Sequence, residues 1–315
     1  MKLLSPFLWT ACVTPFNDKG DSIDYSSLQL LLTMQAEAEN GVVLLGSTGE
    51  SLSLTDHERR TLVNFLCGLK LSTKIIIGVP GVNLYQTLEW LDFCKGMPIY
   101  GYLITTPIYT KPGIMGQTLW FEKLLEKAHV PAMLYNIPSR AGVSLHVETV
   151  RNLSSHEKFW AIKDSSGTID TLIKYKKVAP NIKVFCGDDN MILDMAAYGA
   201  DGLVSVASNL WPCIVHKYVK QCLLLFQRYA LESKKEATTK VIENEVKSST
   251  SIWQQVCKTL CITSNPIPTK ALLHDIGIIK HKTVRLPLST EDLSSIEALR
   301  QANVMVSKWK KLINN

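Results

Sequence analysis

Eight short apolar runs, each followed by a stretch patterned as a helix, constrain this chain more than any other feature. They are Leu8 to Val13, Val42 to Leu45, Lys74 to Val79, Tyr100 to Thr105, Pro131 to Leu134, Phe159 to Lys163, Ile182 to Cys186 and Gly202 to Val206. Near-continuous apolar strands are buried on both faces, which calls for a parallel sheet covered by helices. Helix ends are legible as well. Asn40-Gly41 closes a helix that starts near Tyr25, and Thr55-Asp56-His57-Glu58 has the form of a capping box. Eight such units within residues 1–226 predict an α/β chain with a (β/α)8 TIM barrel as its catalytic domain. A doubly wound open sheet is the alternative. It would carry a glycine-rich nucleotide loop after the first strand, where Thr14-Pro15-Phe16 stands instead.

Residues 227–315 change character. Arg228 to Ser251 is polar and helix-favouring, and it has no functional account. Ile252 to Leu260, Thr269 to His274 and Thr290 to Leu312 read as further helices. This part is expected to form a small C-terminal helical domain.

The net charge of +6 is mild, and the lysine clusters at Lys234-Lys235 and at Lys308, Lys310 and Lys311 read as solvated faces. No basic stripe interleaved with aromatics occurs, which argues against nucleic acid as a partner. The eight cysteines are scattered among apolar neighbours with no Cys-x-x-Cys, as expected of free thiols in a reducing cytoplasm. The run Phe7 to Val13 reads as a first strand rather than a signal peptide, since Pro6 interrupts it and a single lysine precedes it. No apolar run reaches the roughly 20 residues of a membrane span.

A TIM barrel does its chemistry at the C-terminal ends of its strands. The residues standing there are Ser47 and Thr48 after the second run, Tyr109 after the fourth, Tyr135 and Arg140 after the fifth, Lys163 after the sixth and Gly187 after the seventh. Lys163 ends an apolar run, so burial is expected to lower its pKa and free its amine as a nucleophile for a carbonyl carbon. Taken singly, each residue has a plain structural role: Lys163 snorkelling to water, Tyr109 and Tyr135 packing, Arg140 in a surface ion pair. Gly46-Ser47-Thr48-Gly49 lacks the lysine of a nucleotide loop. Asp188-Asp189 has no histidine or third carboxylate at ligand spacing, so no metal is expected. The conjunction is what points to catalysis.

The stretches Thr10 to Phe16, Gly46-Ser47-Thr48-Gly49-Glu50-Ser51, Thr106-Pro107-Ile108-Tyr109, Tyr135 to Gly142, Ile162-Lys163-Asp164-Ser165-Ser166-Gly167 and Asn265-Pro266-Ile267-Pro268 occur in order along the chain. Together they resemble the pyruvate-dependent class I aldolase (N-acetylneuraminate lyase) family. The resemblance implies that Lys163 forms a Schiff base with pyruvate and needs no other cofactor. It implies that Ser47 and Thr48 hold the pyruvate carboxylate. Tyr135 and Thr48 would relay protons, with Tyr109 reaching in from a neighbouring subunit of a homotetramer. Gly187 and Val204 would complete the substrate-binding set.

Arg140 separates the family's branches. A guanidinium suits the carboxylate of L-aspartate 4-semialdehyde, so the resemblance favours condensation of that aldehyde with pyruvate toward diaminopimelate and lysine. The alternative is cleavage of sialic acid or a 2-keto-3-deoxy sugar acid, to whose enzymes Gly46-Ser47-Thr48-Gly49 is closer. A non-catalytic barrel is a lesser alternative. Asp56, Arg59, Val82 and Ile108 stand where lysine-inhibited members carry other residues, so weak or absent inhibition by L-lysine is expected.

Overall fold

A computed structural model describes residues 6–69, 71–231 and 250–313. Eight strands form a closed barrel in sequence order: β1 (Leu8–Ala11), β2 (Gly41–Leu44), β3 (Ile75–Val79), β4 (Gly101–Thr105), β5 (Ala132–Asn136), β6 (Phe159–Asp164), β7 (Lys183–Cys186) and β8 (Gly202–Ser205). Every pair is parallel, and β8 closes on β1 with Leu203 beside Leu8. The alternation of apolar runs and helices therefore reports the fold correctly.

The intervening helices are α1 (Tyr25–Glu37), α2 (Asp56–Cys67), α3 (Leu84–Phe93), α4 (Ile114–Lys127), α5 (Pro138–Ala141), α6 (Val147–Leu153), α7 (Ile169–Val178), α8 (Ile192–Ala197) and α9 (Pro212–Leu231). The capping box at α2 forms as the sequence predicts. Thr55 Oγ1 accepts from the Glu58 amide at 3.2 Å, and the Thr55 amide donates to Glu58 Oε2 at 2.9 Å.

Successive strand residues point to opposite faces, so the apolar runs feed two cores. One lies between sheet and helices. The other fills the barrel itself, with Trp9, Val43, Ile76, Leu103, Met133, Ala161, Phe185 and Val204 pointing inward. Trp9 plugs the N-terminal end with Tyr100 and Trp160, ring centroids 5.5 and 5.9 Å away. Gly41 makes room for it, since a Cβ there would lie 2.3 Å from the Trp9 ring. The C-terminal end is left to polar residues.

Helix α9 runs unbroken past residue 226 to Leu231. After residues 232–249, which hold most of the polar stretch and Lys234-Lys235 and lie outside the described residues, three helices follow: α10 (250–260), α11 (Ile267–Asp275) and α12 (Glu297–Ile313). Trp253 of α10 packs tilted and Trp309 of α12 edge-on against Tyr218 of α9, each with ring centroids 5.3 Å apart. The same Trp253 donates its indole N–H to the Asp189 carbonyl at 2.7 Å, tying these helices to the barrel's catalytic end. Among the described residues no helix is long and apolar enough to cross a membrane.

Candidate active site

Tyr135 and Lys163 are register partners at the ends of β5 and β6. Both point inward, because Met133 and Ala161 two residues earlier do. Lys163 is only 4% exposed, and its Nζ lies 4.2 Å from the Tyr135 ring centroid. An amine is thus held against a phenol in a nearly closed space.

The loop after β2 supplies hydroxyls. It turns sharply, with Leu45 at φ 56° and Glu50 at φ 52°, left-handed values that few residues other than glycine adopt without cost. Internal bonds close the turn: the Gly49 and Glu50 amides donate to the Gly46 and Ser47 carbonyls at 3.1 Å each. Outside clasps hold its strained end. Glu50 is buried and pairs with the fully buried Lys270 of α11 at 2.5 Å, while its other oxygen accepts the Arg285 amide at 2.8 Å. Burial pushes the Lys270 ammonium down to about 8, against the pull of Glu50.

Asn265, just before α11, joins two functional elements. Its side-chain amide donates to Thr48 Oγ1 at 2.9 Å, and its carbonyl accepts from Arg140 Nη2 at 3.3 Å. The Thr48 oxygen thus accepts from Asn265, and its own proton remains available to donate to another group.

A chamber of about 230 Å³ opens between these groups. Lys163, Tyr135, Ser47, Thr48, Arg140 and Gly187 all line it. A neighbouring, more apolar chamber of about 350 Å³ spreads over the ends of β2, β3 and β4. Ser47, Tyr135, Ile137 and Arg140 face both. Two residues of the expected set stand apart. Tyr109 is 92% exposed at φ 66° and lines neither chamber of its own chain. Val204 is fully buried one inward layer deeper, and Val206, two residues on with the same strand parity, reaches the chamber instead.

Asp189 is spent on structure: it accepts from Ser205 Oγ at 2.5 Å and from the Val206 and Ala207 amides at 2.8 and 3.2 Å. Among the described residues no group of three or more histidine, cysteine or acidic side chains is placed to hold a metal ion.

Gly187 has a steric role. A Cβ there would lie 2.0 Å from Ser165 Oγ and 3.1 Å from both the Asp164 carbonyl and Lys163 Cε. Gly187→Ala is expected to fold but to push the lysine off line. The rate of reaction at its amine should fall on the order of 10²-fold, the scale of a 1 Å misplacement. Capture of a carbonyl compound on the lysine, followed by mass spectrometry, measures it; an unchanged rate would remove the argument.

The chain is similar to known proteins along nearly its whole length. The sequence profile of the Dihydrodipicolinate synthetase family matches residues 6–303. A 4-hydroxy-tetrahydrodipicolinate synthase of Wolbachia pipientis subsp. Culex pipiens (strain wPip) is 78% identical over 311 residues, 99% of each chain. That of Wolbachia pipientis wMel is 75% identical over 308 residues, 98% of each. Among solved structures, the Cyanidioschyzon merolae enzyme with lysine bound superposes with a TM-score of 0.85 at 25% identity, covering 97% of this chain and 99% of its own. The chain belongs to the dihydrodipicolinate synthetase family.

Proposed function

We propose that the chain condenses pyruvate with L-aspartate 4-semialdehyde, the 4-hydroxy-tetrahydrodipicolinate synthase reaction. The observation that carries the mechanism is the side-by-side placement of Lys163 and Tyr135 in a chamber whose rim bears Arg140. The Lys163 amine attacks the pyruvate ketone, and the resulting carbinolamine loses water to give a protonated imine. That cation withdraws electrons from the methyl carbon, which sheds a proton and becomes a nucleophilic enamine. The enamine carbon bonds to the aldehyde carbon, whose oxygen takes up a proton. The amino group of the second substrate then displaces Lys163 from the imine and closes the ring.

The Thr48 hydroxyl, which accepts from Asn265 and keeps a proton to donate, suits the pyruvate carboxylate. Ser47, facing both chambers beside Tyr135, is better placed than Thr48 to pass protons with the phenol. The resemblance gave both hydroxyls to the carboxylate and the relay to Thr48; this reading leaves Thr48 on the carboxylate and gives the relay to Ser47. No cofactor beyond the covalent imine enters the scheme.

A second copy completes the site. Tyr109 stands with Leu52, Val82, Tyr85, Ile114 and Met115 among large apolar side chains exposed on the loops and helix starts after β2, β3 and β4. Large apolar side chains exposed at one end of the barrel support an interface with a second copy that would cover them. The assembly is a homotetramer of paired dimers in which Tyr109 serves the neighbouring chain's relay. Mixing two inactive variants, Tyr109→Phe and Lys163→Ala, should then restore activity, because a hybrid pair holds one site with both residues. A mixture that stays inactive would place Tyr109 within its own chain or outside catalysis.

Borohydride reduction in the presence of pyruvate, followed by assay of both aldehyde-condensing and sugar-acid-cleaving activity, tests the reaction itself. Arg59 and Asp56 are engaged with each other at 3.7 Å, and Arg59 also donates to the Leu54 carbonyl at 2.7 Å. Their commitment to this loop accords with weak or absent inhibition by L-lysine.

A further inference from the structure

The proposed second substrate is a zwitterion, and the mechanism so far places only its carboxylate, on Arg140. Its ammonium enters a chamber already lined by the Arg140 guanidinium. Without a local anion that charge would be both desolvated and repelled. Among the described residues lining the chamber, two carboxylates are present, Asp188 and Asp189. Asp189 is committed to Ser205 and two backbone amides. Asp188 has no side-chain hydrogen bond or ion pair among the described residues; the Cys186 thiol at 3.1 Å reaches its backbone carbonyl. Ser165 Oγ, against Gly187, is buried, lines the same chamber and has no hydrogen-bond partner among the described residues. A buried hydroxyl without a partner costs free energy that a bound ligand can recover.

We propose that Asp188, helped by Ser165, receives the α-ammonium of the aldehyde substrate opposite Arg140, so that the chamber selects an amino-acid aldehyde over a neutral or purely anionic one. This inference rests on the condensation reading given above. Gly187 is the reason the arrangement fits. Its missing side chain leaves Ser165 Oγ and Lys163 Cε flanking the same spot, so the amino group sits within reach of the imine carbon, which it attacks as the neutral amine after giving up a proton. Burial pushes the Asp188 carboxyl up to about 6, with Lys163 pulling the other way, which leaves it ionised at neutral pH.

The test compares L-aspartate 4-semialdehyde with succinate semialdehyde, the same acid aldehyde without its amino group. In Asp188→Asn the KM for the amino aldehyde should rise roughly 10- to 100-fold, the range for one charge-assisted contact. Inhibition by succinate semialdehyde and borohydride trapping of pyruvate should not change. Ser165→Ala, which deletes an unpartnered hydroxyl, should show a smaller shift of the same kind and keeps the test readable if the first variant does not fold. An equal loss for both aldehydes, or a change confined to the pyruvate adduct, would overturn the assignment and make Asp188 a counter-ion of the imine. A wild-type chain that traps no pyruvate would instead sink the underlying reaction.

Discussion

Replacing Lys163 by alanine or arginine is expected to reduce condensation by roughly 10⁴-fold or more, the order lost when a covalent nucleophile is removed. The physical reason is that no other group in the chamber can form an imine. Among the residues lining it, Lys163 and Arg140 are the nitrogen bases, and a guanidinium stays protonated at any working pH. Lys163→Arg is the more informative variant. It keeps the positive charge against the Tyr135 ring, 4.2 Å from Nζ in the native chain, so a purely structural lysine would be largely replaced by it. Both variants should also fail to gain mass when reduced with borohydride and pyruvate. Retention of more than a small fraction of activity by Lys163→Arg would remove the covalent mechanism.

Lys270→Met is expected to cost about 3–5 kcal/mol, because it strands the Glu50 carboxylate in the interior. For a chain of this size the melting temperature should fall by on the order of 10 °C. A buried ion pair is not itself a net source of stability, since taking both charges out of water offsets their attraction. Adding Glu50→Gln to Lys270→Met should therefore recover much of the loss. A glutamine oxygen can still accept the Arg285 amide that Glu50 accepts at 2.8 Å. Calorimetry of the single and double variants decides the matter. A single variant that melts like the wild type would show that Glu50 finds another partner. The single variant should also raise the KM for pyruvate, as the Ser47-Thr48 turn ends on Glu50 at its strained φ.

The barrel was open to reading because its signal is local. Each buried strand is a run such as Ile75-Ile76-Ile77, and each helix carries its own stop or cap, as Thr55 and Glu58 show. The residues at strand ends followed from the same pattern, so Lys163, Tyr135, Ser47, Thr48, Arg140 and Gly187 meet in one chamber. Val204 came with the resemblance and not from the strand pattern; it faces inward one layer below Val206, which lines the chamber. What the pattern could not reveal is long-range pairing. Asn265 meets Thr48 across 217 residues, and Lys270 meets Glu50 across 220, with no periodicity to announce either. Asp188 was visible only as half of an acidic pair. Its separate role depends on Asp189 being occupied by the β8 turn, which is a fact of three dimensions.

The clasp on the Ser47-Thr48 turn also has a consequence for the order in which the molecule comes into being. Lys163 leaves the ribosome about a hundred residues before Asn265, Lys270 and Arg285 do. Domains are made N-terminus first, at roughly 5–20 residues per second. Through that interval the growing chain has its amine and its phenol, but Thr48 has no Asn265 to orient it and Glu50 has no cation. The last part synthesised thus acts as the arming step. On the proposed reading, a nascent barrel does not hold pyruvate correctly until the segment that orients Thr48 has emerged and folded back.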